Sequence, residues 1–145
     1  MDEKDLFTGF WANEAKTTIK VFGRIPENND YKPDSKSRTA QQIAWQVFLE
    51  EKFIIRWLED GTNEWKAEPM PNSMSEIAGL YERQSADIVK RWKALPKAKW
   101  DAELDLFGKK RPASSMAWSF FHDIIHHRGQ ITTYLRPMGS TVPQI

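Results

Sequence analysis

The chain has 145 residues, the size of one ordinary domain and enough to bury a sizeable core. Its composition is typical of a globular protein, with 40% hydrophobic and 28% charged residues. The formal net charge of +1 excludes the strongly basic field of a nucleic-acid-binding protein. There is no cysteine, which excludes disulfides and catalysis by a protein thiolate. Any thiol chemistry therefore needs a cosubstrate that brings the sulfur.

No targeting or membrane-spanning segment is predicted. The N-terminal run MDEKDLF lacks the basic and apolar regions of a secretory signal, and no apolar run approaches the length of a membrane span. The one basic cluster, residues 109–111, is expected in a solvated loop. We therefore expect a cytoplasmic protein, formed by a single domain over residues 1–145, that binds neither membrane nor nucleic acid.

Hydrophobic periodicity and stop signals predict the first two helices. Apolar residues recur at helical spacing over residues 5–22, and Gly23 and Pro26 end that helix. A polar connector follows. The second helix is predicted over residues 38–59, and Asp60-Gly61 stops it.

Two further helices complete the predicted architecture. The third begins at Ser73, with Glu76 three residues later in the spacing of a capping box. Residues 100–107 alternate loosely between apolar and acidic, which fits either a short strand or an extended lid. The fourth helix begins within residues 112–115 and ends at Pro137. The pattern predicts an all-α fold, a four-helix bundle.

The fourth helix carries the most informative residues of the chain. At about 100° per residue, Asp123 and His127 lie at the edge of its apolar face, and His122 and His126 lie on the far side. Residues four apart share a helix face, so Asp123 and His127 could offer two metal ligands. The same pair could equally form a plain hydrogen bond inside the bundle. His122 and His126 are expected in solvent, although apolar neighbours leave a dimer interface on that side open.

The second helix carries a matching polar pair. Gln46 and Glu50 lie four residues apart inside its apolar stripe, where polar side chains are unusual. If the two helices pack together, Gln46, Glu50, Asp123 and His127 could converge as a set of nitrogen and oxygen donors for zinc, nickel or manganese. The alternatives are a buried salt bridge from Glu50 to Arg128, and a hydrogen bond from Gln46 to a helix backbone or to Asp123.

The remaining charged pairs carry no chemical signal. Glu51 with Lys52, and Arg83 with Asp87, are expected on solvated helix faces. There is no glycine-rich phosphate loop, no nucleophile elbow and no zinc-finger spacing.

The C-terminal part of the chain carries the run HRGQ at residues 127–130, followed by YLR at 134–136, Gly139 and VP at 142–143. This run resembles the C-terminal signature of the DinB/YfiT-like superfamily. Residues 38–46 resemble its second-helix motif. The resemblance spans nearly the whole chain in helix order.

The resemblance implies an up-down-down-up four-helix bundle, often dimeric, with a divalent metal held by three side chains. One ligand comes from the second helix and two, four residues apart, come from the fourth. By position these ligands would be Gln46, Asp123 and His127. Gln46 stands where histidine is expected, and an amide oxygen is a weaker ligand than imidazole, so the metal would be weakly held, different or absent.

Characterised relatives in this superfamily include thiol-dependent S-transferases and a mycothiol-dependent maleylpyruvate isomerase. The first hypothesis is therefore a metal-dependent thiol S-transferase, or a related hydrolase-like enzyme, acting on a small molecule with a low-molecular-weight thiol as cosubstrate. The metal would lower the thiol pKa. Glu50 would act as general base or fourth ligand, and Arg128 would orient a substrate carboxylate or brace Glu50.

Two other hypotheses stay open. In the first, the bundle is catalytically degenerate, its polar groups form a hydrogen-bond network, and it acts as a binding or structural dimer. In the second, a small apolar ligand binds between Trp45, Trp57 and Trp118, although a core role suits each of them. A homodimer is the expected assembly.

Overall fold

A computed structural model describes all residues, 1–145. The prediction of a mostly helical chain is confirmed, and none of the helices is long and apolar enough to cross a lipid bilayer. The elements in chain order are α1 (Glu3–Phe22), α2 (Ala40–Asp60), α3 (Met74–Ala94), α4 (Lys97–Trp100), β1 (Glu103–Leu106), β2 (Lys109–Pro112) and α5 (Ala113–Leu135).

Local capping fixes the ends of α2 and the start of α3. Thr39 and Gln42 form a reciprocal capping box at the start of α2, and Gly61 ends the helix in the left-handed conformation with φ +78°. At the start of α3 the Ser73 side chain accepts a hydrogen bond from the backbone N–H of Glu76, which confirms the N-cap half of the predicted capping box; the return bond to the Glu76 side chain is not formed.

Helix α5 packs against α2 in antiparallel orientation and against α1 in parallel orientation. These directions follow from residue pairs that lie close across each seam. The pairs are Gln46 with His127 and Phe53 with Phe120 between α2 and α5, and Glu3 with Trp118 and Glu14 with Arg128 between α1 and α5.

Helix α3 packs on the other side of both α1 and α2. It runs antiparallel to α1 and parallel to α2, which again follows from the order of the contacting pairs. These are Lys4 with Trp92 and Phe22 with Tyr81 for α1, and Phe48 with Gln84 and Glu59 with Arg91 for α2. Each long helix therefore has two long neighbours, and the core lies between them.

Large aromatic side chains fill one part of this core. We call them the aromatic cluster; its members are Phe7, Trp11, Trp92, Trp100, Trp118 and Phe121. They come from α1, α3, α4 and α5, and none comes from α2. The seam between α2 and α5 is thus built separately from the cluster.

Of the two alternatives for residues 100–107, the short strand is confirmed, because β1 spans Glu103–Leu106. What the sequence did not predict is its partner: β1 pairs with β2 in an antiparallel hairpin. Phe107 and Gly108 form its two-residue turn, with φ of +51° and +79°, as a type I′ turn requires. The basic cluster at residues 109–111 lies in β2 and not in a loop, and its residues are exposed.

Candidate metal centre

Packing of α2 on α5 brings together three of the side chains that the sequence singled out. One potential ligand atom from each of Glu50, Asp123 and His127 lies within 4.8 Å of the others. The Glu50 side chain is 7% exposed, that of His127 is 12% exposed and that of Asp123 is 52% exposed. The group therefore has a buried floor formed by Glu50 and an open side at Asp123.

The imidazole of His127 lies at the middle of the group. Its Nε2 is 3.3 Å from Oδ2 of Asp123 and 3.5 Å from Oε1 of Glu50. On the other side of the ring, Nδ1 lies 3.2 Å from Oε1 of Gln130. An amide oxygen can only accept, so this contact favours the proton on Nδ1 and leaves the lone pair of Nε2 facing the carboxylates. This is the tautomer that binds a metal through Nε2.

Gln130 is a supporting residue that the sequence interpretation missed. The signal for it was present, because Gln130 follows His127 by three residues and residues three apart are neighbours on a helix surface. It was noted only as part of the HRGQ motif.

The carboxamide of Gln46 borders the group through its nitrogen. Nε2 donates a hydrogen bond of 2.6 Å to Oε1 of Glu50 and lies 3.1 Å from Nε2 of His127. The backbone and Asp123 partners considered for Gln46 are not the ones it takes. Ligation by Gln46 stays a prediction, and it requires the amide to rotate so that its oxygen faces His127 and Glu50.

Glu50 supplies the free acceptor of the group. Burial raises its pKa, whereas the hydrogen bond from Gln46 and the nearby His127 lower it. Oε2 of Glu50 is buried and has no hydrogen-bond partner. Burying a carboxylate oxygen without a partner costs free energy, and a bound cation would supply the missing partner. Two carboxylates and one imidazole suit a divalent metal ion, so the residues present fit such a group.

The proposed contact between Arg128 and Glu50 is wrong. The guanidinium of Arg128 turns towards α1, where Nη2 lies 2.6 Å from Oε2 of Glu14 and Nη1 donates to the backbone oxygen of Glu14 and to Thr18. A helical wheel gives the direction of a side chain but not which neighbouring helix lies there. Arg128 therefore joins α5 to α1 and braces nothing at the candidate metal centre.

The expectation that Glu51 lies on a solvated face is also wrong. Glu51 is 2% exposed and accepts a hydrogen bond of 2.7 Å from the hydroxyl of Tyr81. Burial raises its pKa to about 8, and the adjacent Glu50 contributes to the shift. The signal was available, because on the α2 wheel Glu51 lies about 120° from Thr39, between Leu58 and Ile55. Helix α2 contacts both α5 and α3, so its apolar arc is wider than one stripe.

The other predicted side chains are placed as follows. His122 and His126 are exposed, which confirms the expectation for that face of α5. Trp45 and Trp57 are buried in the core, at 8% and 1% exposure, which is the core role considered for them. Trp118 is half-buried and donates a hydrogen bond to Glu3.

Comparisons with known structures show a DinB-like fold. The crystal structure of YjoA, a DinB-like protein from Bacillus subtilis, matches with a TM-score of 0.82 at 19% identity, over 97% of this chain and 96% of that chain. A DinB-like protein from Bacillus cereus matches with a TM-score of 0.82 at 24% identity, over 96% and 95%. A mutant of the mycothiol-dependent maleylpyruvate isomerase matches with a TM-score of 0.61 at 12% identity, over 90% of this chain and 61% of that chain.

Comparison with known sequences agrees with the structural comparison. The Bacillus subtilis protein YrdA is 29% identical over an alignment of 149 residues, gaps included, that covers 97% of this chain and 86% of the relative. The sequence model of the DinB family matches residues 1–145. The chain therefore belongs to the DinB family.

Proposed function

We propose that this protein is a metal-dependent enzyme that acts on a small molecule, as a thiol S-transferase or a related hydrolase-like enzyme. The observation that carries the proposal is the convergence of Glu50, Asp123 and His127 on the seam between α2 and α5. The mycothiol-dependent maleylpyruvate isomerase shares the fold at low identity, and it supports a low-molecular-weight thiol as the class of cosubstrate.

The scaffold of the proposal is a four-helix bundle of up-down-down-up order. The helix directions support it, because α1 runs parallel to α5 and antiparallel to α3, and α2 runs antiparallel to α5. Placing two ligands on α5 and one on the antiparallel α2 makes the site depend on the docking of these two helices.

Glu50, Asp123 and His127 would hold the metal ion, with Gln46 as a weak additional ligand through its amide oxygen. When bound, zinc, nickel or manganese supplies Lewis-acid chemistry that lowers the pKa of a thiol and stabilises its thiolate as a nucleophile.

The protein's own groups would orient the site and move the proton. Gln130 holds the His127 ring with Nε2 towards the carboxylates. If Asp123 and His127, with Gln46, hold the metal without Glu50, Oε2 of Glu50 stays free of hydrogen bonds, and the raised pKa of Glu50 suits a general base that accepts the thiol proton. Asp123 lies on the exposed side, so a thiol and its electrophile can enter from solvent past its carboxylate.

Calorimetric titration of the metal-free protein with Zn²⁺, Ni²⁺ and Mn²⁺ tests the proposal. We expect binding tighter than millimolar for at least one ion, and loss of about tenfold or more in affinity for His127→Ala. The matched control is His126→Ala, which removes an exposed imidazole from the next position of the same helix and should leave the affinity unchanged. Absence of sub-millimolar binding for all three ions would rule the proposal out.

The role of Glu50 and of the thiol can be separated by substitution with cobalt. Addition of glutathione to the Co²⁺-loaded protein should produce a thiolate charge-transfer band in the near ultraviolet. If Glu50 is a ligand, Glu50→Gln weakens Co²⁺ binding. If it is the base, this variant keeps Co²⁺ and the band appears only at higher pH.

The alternative is a catalytically degenerate bundle, and the contacts of Gln46 favour it. Its amide nitrogen already bonds Glu50 and faces His127, so a hydrogen-bond network holds these groups without a metal. Under this alternative, Asp123→Asn alters stability only. Gln46→His separates the two: a usable site gains roughly tenfold or more in Zn²⁺ affinity from a second imidazole, whereas a degenerate one does not.

A homodimer remains part of the proposal. Leu6 and Phe10 on α1 are 45% and 48% exposed, and Phe10 contacts the half-buried Trp118 of α5. These apolar groups lie on one side of the molecule and would suit a second copy of the chain. Sedimentation velocity should then give twice the chain mass of 16.9 kDa.

A further inference from the structure

A cavity lies between α2 and the loop that follows it. Its volume is about 310 Å³, within the size range of small-molecule sites. The residues that carry the argument are Lys52, Phe53 and Arg56 of α2, and Trp65, Lys66 and Glu68 of the loop. We call this cavity the loop pocket.

The loop that closes the pocket is fixed to α2 by hydrogen bonds. The indole of Trp45 donates to the backbone oxygen of Glu68 at 3.0 Å, and the Gln41 side chain donates to that of Pro71 at 3.0 Å. Arg56 also donates to the backbone oxygen of Glu64. The walls are therefore held in place before any ligand arrives, which lowers the entropic cost of binding.

One wall of the loop pocket is aromatic. The rings of Phe53 and Trp65 lie 5.4 Å apart, and Phe53 also contacts Phe120 of α5 at 5.5 Å. Trp65 is 47% exposed, an uncommon position for a tryptophan on a loop. A half-exposed indole next to a second ring, tilted from it by 51°, offers aromatic edges and faces against which a planar apolar group can pack.

The other wall carries a net positive charge that the protein neutralises only in part. Three cations and one carboxylate line the loop pocket, and Asp60 at the end of α2 is close enough for Arg56 and Lys66 to lower its pKa, so the balance of 3 − 2 leaves +1. Glu68 pairs with Lys52, whereas Lys66 forms no ion pair. The guanidinium of Arg56 lies over the Phe53 ring at 5.7 Å, and its Nε is buried without an acceptor. The ammonium of Lys66, which forms no ion pair, and the guanidinium of Arg56 suit a single anionic group, and Glu68 disfavours a second negative charge.

The pocket lies close to the candidate metal centre along the helices. Phe53 follows Glu50 by three residues, which is about 4.5 Å along the axis of α2. Its partner Phe120 precedes Asp123 by three residues on α5. A ligand on the Phe53 ring would therefore lie about one helical turn from Glu50 along α2.

We propose that the loop pocket binds aromatic carboxylates, with the ring against Phe53 and Trp65 and the carboxylate on Arg56 and Lys66. That this ligand is the substrate of the metal centre rests on the proposed function; the binding itself does not.

Calorimetry of the metal-free protein with 2-naphthoate tests binding independently of the metal. We expect saturable binding, and at least about fivefold weaker binding of 2-naphthamide, which keeps the rings and removes the charge. No saturable binding of 2-naphthoate, or equal affinity for the amide, would overturn the proposal.

Variants locate the ligand. Trp65→Ala and Lys66→Ala alter exposed side chains and should each weaken 2-naphthoate at least fivefold, as should Arg56→Gln. The matched controls Phe107→Ala, Lys36→Ala and Arg83→Gln change exposed residues elsewhere and should not. If the first three substitutions leave the affinity for 2-naphthoate unchanged, the ligand binds elsewhere and the proposal is overturned. A protein that binds 2-naphthoate but no metal would refute the proposed function and leave the pocket intact.

Discussion

Glu51 is a carboxyl group that makes the stability of the whole fold depend on pH. Burial raises its pKa to about 8 from the ordinary value of 4.5. At a pH between these two pKa values, Glu51 stays protonated in the folded chain and is ionised in the unfolded chain. The stabilising contribution is therefore fully present below pH 4.5 and is lost as the pH rises through about 8.

We expect Glu51→Gln to remove this dependence. The amide keeps an acceptor for the Tyr81 hydroxyl and cannot ionise. The free energy of unfolding of the variant, relative to the unmodified protein, should rise by about 1.4 kcal/mol for each pH unit across this window. Urea denaturation of the metal-free proteins at pH 5, 6, 7 and 8 measures it.

The control for this prediction is Glu82→Gln, which alters an exposed glutamate on α3. It should leave the pH profile of unfolding unchanged. A stability difference between Glu51→Gln and the unmodified protein that stays constant from pH 5 to pH 8 would contradict the assigned role of Glu51.

At the scale of the element, the end of α2 depends on the conformation of one glycine. Gly61 has φ +78°, a left-handed conformation that costs an L-residue with a side chain about 1 kcal/mol or more. We expect Gly61→Ala to lower the free energy of unfolding by about that amount, because a Cβ at this position meets no neighbour and only the backbone strain acts. Chemical denaturation measures the change.

Gly9 provides the matched control for Gly61. It lies inside α1, is exposed, and a Cβ added there also meets nothing within 4 Å. Gly9→Ala should raise the free energy of unfolding by about 0.5–1 kcal/mol, because alanine has the higher helix propensity. If both substitutions changed the free energy of unfolding in the same direction, backbone conformation would not decide the effect.

The sequence predicted those features of the elements that periodicity determines. The exposure of His122 and His126 followed from the helical wheel, because the burial of one helix face repeats every 3.6 residues. The start of α3 at Ser73 followed from local cap chemistry. Both features depend only on residues within two helical turns of each other, so they follow from the sequence without knowledge of the tertiary structure.

The features that sequence did not predict depend on which elements become neighbours. Glu51 is buried because α3 covers a second side of α2, and Arg128 turns to Glu14 because α1 lies there. The β1–β2 hairpin was missed because its second strand is exposed throughout and shows no alternation of apolar residues. Partner choice across the core is a tertiary property that a single helical wheel does not contain.

At the scale of the molecule, the structure separates what holds the helices together from what would perform chemistry. The aromatic cluster joins α1, α3, α4 and α5. The candidate metal centre and the loop pocket lie instead along α2 and its seam with α5. Substitutions in the cluster should therefore change stability first.

Phe7 is the residue on which this separation is best tested. It is fully buried and its ring lies 4.9–5.8 Å from five other rings of the aromatic cluster. We expect Phe7→Ala to lower the free energy of unfolding by about 3–5 kcal/mol, because the cavity forfeits both transfer energy and ring contacts. Phe107→Ala removes a ring that is 93% exposed and should change it by no more than about 0.5 kcal/mol. A loss below about 1 kcal/mol for Phe7→Ala would mean that the cluster repacks and does not join the helices as the structure indicates.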